Sequence, residues 1–143
     1  MKVGMNWVGD MKGAYQVKGA KSPIRLASNQ KIEFVVRVAS LHVDPTGVIQ
    51  LVLLKAKSNK RELVAMKGGL FGDMTVDSHA GAIDVNASKY GESSLKITPA
   101  QPLAPGEYAL KAPDATGIGS AQSEIFYCFG VDASATSVAK QKR

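Results

Sequence analysis

Metal or nucleophilic chemistry in this chain would have to start from two histidines, one cysteine and a scatter of carboxylates. His42 with Asp44, and Asp77 with His79, each set two ligand-type residues two positions apart, so on a strand both members of a pair would point the same way. Neither spacing commits the pair to an ion, and the expectation is solvated loop histidines with no metal and no cofactor. Cys128 lies between Tyr127 and Phe129 with no histidine near it in sequence, and reads as a small buried hydrophobe rather than a nucleophile. No G-x-S-x-G elbow is present, and the serines cluster in turns, where local hydrogen bonding explains them. Asp73, Asp77, Asp84 and Glu92 would allow a carboxylate pair of the glycosidase kind, but acids this frequent offer such pairs by chance. The chain therefore reads as not an enzyme, with a hydrolase whose site lies in the 67–92 loop region as the third choice.

Binding chemistry is better represented. Lys55, Lys57, Lys60, Arg61 and Lys67 crowd around one predicted hairpin and form a candidate patch for an anionic partner. No exposed aromatics interleave with them, which argues against specific nucleic-acid recognition, and lysines at a strand edge also discourage wrong pairing. Gly68-Gly69-Leu70-Phe71-Gly72 lacks the lysine and serine order of a phosphate-binding loop and opens no helix. The net charge of +6 is unevenly spread: residues 11–67 hold eleven Lys/Arg against three acids, and residues 68–132 hold three against eight. Were those segments to form separate faces, copies would meet basic face to acidic face, a head-to-tail self-association weakened by salt.

The elements that would position these residues are strands. At 143 residues the chain is long enough for one domain with its own core, and a single cysteine leaves packing alone to hold it. Residues 1–14, with no clean period, read as an irregular lead-in; residues 15–132 form the domain; residues 133–143 are a flexible basic tail. The N-terminus lacks the apolar core of a signal peptide, and no stretch approaches the roughly 18 apolar residues of a membrane span. The compartment is thus periplasmic or extracellular if an export signal has been removed, and otherwise cytoplasmic.

Pro105-Gly106 makes a strong turn before Glu107–Lys111, whose alternation places Tyr108 and Leu110 on the core face and Glu107, Ala109 and Lys111 on the other. Glu124–Asp132 is apolar on both faces, the mark of a central strand, and Tyr108, Phe126, Tyr127 and Phe129 are expected to be core. Strands are also expected at 15–18, 24–27, 31–38, 48–56, 61–66, 83–87 and 94–98, with a long irregular stretch at 67–82. About nine short strands punctuated every 8–12 residues predict an all-β, antiparallel two-sheet sandwich, Ig-like or a close variant, with a small β-barrel as the alternative.

The G-x-x-S-P-x-x-L stretch at Gly19–Leu26, F-V-V-R at Phe34–Arg37, K-I-T-P and L-x-P-G-E-Y-A-L between Lys96 and Leu110, and F-G-V at Phe129–Val131 together resemble uncharacterised bacterial β-sandwich domains of exported proteins and lipoproteins. The pattern covers most of residues 15–132. It consists of turn and core positions, so the resemblance implies a fold and an exported setting, not an activity. The leading expectation is a non-enzymatic interaction or structural module of a larger, exported assembly, with a protein partner or self-association. The alternative is a module that binds an anionic partner through the hairpin at 55–67.

Overall fold

The computed structural model describes residues 2–3, 5–7, 12–37, 49–68, 74–77, 79–113 and 124–133. Among them the regular elements are all strands: β1 (Lys2–Val3), β2 (Met5–Trp7), β3 (Lys12–Lys18), β4 (Arg25–Ala27), β5 (Phe34–Arg37), β6 (Gln50–Ala56), β7 (Lys60–Gly68), β8 (Met74–Val76), β9 (Ala82–Ile83), β10 (Val85–Tyr90), β11 (Ser94–Pro99), β12 (Gly106–Pro113) and β13 (Glu124–Asp132). The larger sheet follows the path β1-β13-β12-β6-β7-β3-β2 and curls into a half-barrel. β8 and β9 add to it at β7 and β6, and β4 joins β13 in parallel, which makes the sheet mixed rather than antiparallel. The smaller sheet, β10-β11-β5, is antiparallel throughout.

This arrangement divides the apolar residues between two cores, because successive side chains on a strand point to opposite faces. On β6, Val52 and Leu54 enter the hollow of the curl with Tyr15, Val17, Leu63, Ala65, Ala109 and Phe126. Leu51 points the other way, toward the small sheet, where it packs with Ile97, Leu103, Tyr108, Leu110, Phe129 and Val131. Phe129 anchors that second core, 5.0 Å from the Phe34 ring and stacked 5.7 Å from Tyr108. The Tyr108 hydroxyl donates to the Ala104 carbonyl at 2.6 Å, tying the turn to its strand as a tyrosine corner does.

Several expectations need correction. The lead-in expected to be irregular contains β1, β2 and the start of β3. The 67–82 stretch, expected to be loop, contains β8 and the start of β9. On β12 the polar face does not meet solvent: Glu107 and Lys111 are buried on the same side as Ala109, inside the curl. Alternation reported the two faces correctly, but a curled sheet encloses its second face as well. Tyr127, expected in the core, is 57% exposed, because it sits on the outer face of β13 beyond the cover of the small sheet.

Candidate functional site

The binding geometry gathers at the outer edge of β13. β1 pairs with that edge at Glu124 and Ile125, and β4 pairs with it from Gly130 to Asp132. Over residues 126–129, between them, no strand among the described residues is paired to it. The segment leading into β4 crosses here: Ser22 Oγ donates to the Cys128 carbonyl at 3.1 Å, and the Gly130 N–H donates to the Ile24 carbonyl at 2.8 Å. A cleft of about 520 Å³ opens beside this crossing, walled by Val17, Ile24, Phe34, Phe126 and Tyr127, with Arg61 and Cys128 also lining it. A second cleft of about 520 Å³ follows β5, sharing Phe34 and Tyr127 and adding Val35, Val36 and Ile49. Of the five large apolar side chains most exposed among the described residues, Ile24, Val35 and Tyr127 line these two clefts.

Beside the first cleft lies a group of charges, of which Glu107 and Arg61 are buried while Arg25 and Asp132 reach solvent. Glu107, buried, accepts from the Ser22 N–H at 2.7 Å and from Arg25 Nη1 at 2.6 Å. Arg25 also grips Asp132 through two bonds, Nε to Oδ2 at 3.1 Å and Nη2 to Oδ1 at 2.5 Å. That fork-on-carboxylate geometry is the strong form of an ion pair; it holds the Asp132 carboxyl below its usual range. The guanidinium lies over Gly130, where a Cβ would stand 1.9 Å from Arg25 Nη1, so a larger residue there would have to push the guanidinium out of its bonds.

Arg61 reaches into the same place from β7. Its Nε donates to the Gly19 carbonyl at 2.9 Å and its Nη2 to the Lys18 carbonyl at 3.0 Å. Nη1 faces Glu107 Oε1 at 3.8 Å, too long for a hydrogen bond, and has no other hydrogen-bond partner. Burial pushes the neighbouring Cys128 thiol up, while the Arg61 charge pulls it down.

The far end of the hollow is arranged differently. Lys111 is buried with its ammonium 5.9 Å from the Tyr15 ring centre, and one Glu124 carboxyl oxygen is buried without a hydrogen bond. Burial raises the Glu124 carboxyl, opposed by Lys111, and raises the Tyr15 phenol, with the Glu124 charge adding to it.

The five basic residues of the predicted patch are placed differently. Lys55 and Lys57 are exposed and Lys60 is half-buried, while Lys57 is engaged with Glu62 at 2.6 Å. Arg61 turns inward, as described, and the Lys67 side chain lies outside the described residues. Asp77, Asp84 and Glu92 are exposed, the His79 N–H donates to Asp77 Oδ1, and His42, Asp44 and Asp73 lie outside the described residues. The opposite charges of the two sequence halves meet within the molecule: Arg25 and Arg61 come from the basic segment, and Glu107 and Asp132 from the acidic one. Sequence reasoning missed Glu107, Arg25 and the Ile24–Tyr127 strip. The one signal available was Ile24 beside Pro23, a large apolar residue at the very start of the short strand expected at 24–27. Comparison with known proteins returned no match to a family model, a curated sequence or a solved structure.

Proposed function

We propose that this chain is a non-enzymatic interaction module which engages a protein partner along the apolar strip between β4, β13 and β5. The observation that carries the reading is the convergence of exposed Ile24, Val35 and Tyr127 around adjoining clefts. Clustered apolar exposure marks contact surfaces, whereas scattered single residues do not. β5 also ends its sheet, with β11 as its only strand neighbour among the described residues, so its edge can accept a partner strand. We further place the module in an exported assembly, a reading that rests on the turn and core pattern set out above. Of the two finer fold readings, Ig-like sandwich and small barrel, the curl of the large sheet supports the barrel-like one.

A photo-crosslinking residue at position 35, in cells expressing the full-length gene product, tests the contact. A discrete protein adduct at position 35, missing from the same experiment at exposed position 89 on the far strand of the small sheet, is the expected result. Equal labelling at both positions, or none at either, overturns the reading. Cell fractionation of the same strain tests export independently.

A further inference from the structure

From the free edge of β5 we infer that the partner there is a second copy of this chain, its β5 paired antiparallel to the first about a two-fold axis at Val35. The inference rests on the partner contact proposed above and names its occupant. The hydrogen-bond phase of the small sheet determines which backbone groups are free. The Ala100 N–H donates to the Asp84 carbonyl at 2.9 Å, one step beyond the Val85↔Pro99 register. Bonded and non-bonded pairs alternate along an antiparallel ladder, so Leu95 and Ile97 turn their backbone groups away from β10 and onto Val36 and Phe34. The N–H and C=O groups of Glu33, Val35 and Arg37 therefore point out from the sheet, where no strand among the described residues meets them.

The side chains of the same three residues are complementary to themselves. Lys96, opposite Val35, reaches Glu33 at 3.4 Å, which puts both on the outer face of the sheet with Val35, 55% exposed. The other partner of Glu33, Lys31, is 83% exposed and can yield its place. Arg37 shares that face, is exposed, and has no ion pair among the described residues. A two-fold axis at Val35 sets valine against valine and Glu33 against Arg37 of the second copy, twice, with outward backbone groups meeting outward ones. Unlike charges directly opposite stabilise a strand pair and like charges weaken it. A slip of two residues one way sets Lys31 against Arg37, and the other way carries Glu33 past the strand. The remaining free edge, β10, turns Val85, Ala87 and Lys89 outward, but no symmetric register there opposes unlike charges, because Asp84 and Lys89 lie on opposite faces. The β5 contact closes at two copies, and edges this short make a small, reversible interface.

Sedimentation equilibrium of the full chain should show a monomer–dimer equilibrium with no higher species. Arg37→Glu opposes negative charges twice and Glu33→Lys opposes positive ones twice, so each variant alone should lose about tenfold or more in association constant. Mixed one to one, the two variants regain both unlike pairs, and their heterodimer should exceed either variant alone by about tenfold. Rescue by mixing cannot come from damage to the fold of either variant. Lys89→Glu, at the β10 edge, should change association by less than about twofold. A parent chain that stays monomeric at about 1 mM, or a mixture that associates no better than its components, would overturn the pairing. A crosslink from position 35 to a different protein, with the purified chain monomeric, keeps the partner contact and removes the second copy as its occupant. No crosslink at position 35 removes the contact itself.

Discussion

The two ends of the half-barrel's hollow both hold buried charge, and they hold it in opposite ways. At the β4 end, Glu107 receives a backbone N–H and a guanidinium, and Arg25 is shared with Asp132. At the other end, Lys111 rests near an aromatic ring and Glu124 keeps a buried oxygen without a hydrogen bond. Burying an ion costs several kcal/mol, and only close, hydrogen-bonded partners repay it. The first end is thus a fastening, in which each member needs the others. The second is a tolerated liability that a neutral side chain could replace.

Mutations at the two ends should diverge accordingly. Glu107→Ala leaves two guanidinium groups without their shared carboxylate and should destabilise by about 3–5 kcal/mol in urea unfolding; a loss under about 1 kcal/mol would mean the network contributes little. Gly130→Ala drives a methyl group into the Arg25 guanidinium and should cost about 1–3 kcal/mol. If the network is what Gly130 accommodates, the alanine penalty should shrink when Arg25 is replaced by a shorter side chain, as a double-mutant cycle would show. Lys111→Met, at the other end, removes a charge but keeps the volume, and should change stability by less than about 1 kcal/mol or raise it. A large loss there would make the two ends equivalent.

Acidity should separate them by sign. The Glu124 carboxyl is raised by burial from 4.5, so the folded state favours its protonated form. The stability this confers is complete below the unfolded value and is lost as pH rises through the folded one. Asp132 is lowered by its bonds to Arg25, so its contribution is present above the unfolded value and is lost as pH falls. Glu124→Gln should therefore be more stable than the parent at pH 7, with the difference closing toward pH 4. Asp132→Asn should be less stable at pH 7 and should lose less on acidification. Thermal unfolding across that range would reveal both slopes, and parallel curves for the two variants would contradict the assignment.

Much of the strand layout could be read from local pattern. Pro105-Gly106 announced β12, and the apolar run at Glu124–Asp132 announced β13 with its observed limits. Burial of Phe126, Phe129 and Tyr108 followed from side-chain size. What pattern could not convey was curvature. Whether Glu107 and Lys111 meet water depends on a sheet bending round to cover them, and that depends on pairings between distant strands. The candidate site was hidden for the same reason. Arg61 belongs to a basic run by sequence, and only the pairing of β7 with β3 brings it to the Lys18 and Gly19 carbonyls that hold its guanidinium. Tyr127 and Phe129 stand on the same face of one strand, and a sequence cannot tell which of them the small sheet reaches.

The first seven residues serve both extremes of the large sheet, for Met5–Trp7 pair with β3 while Lys2–Val3 pair with the start of β13. As the polypeptide leaves the ribosome, Met5–Trp7 meet their partner at Gly13–Tyr15 almost at once. Lys2–Val3 must wait until Glu124 and Ile125 have been made, on the order of ten seconds later at ordinary synthesis rates. Throughout that interval the outer edge of β13 is an unfinished seam. The edge of β13 thus decides when β1 can settle.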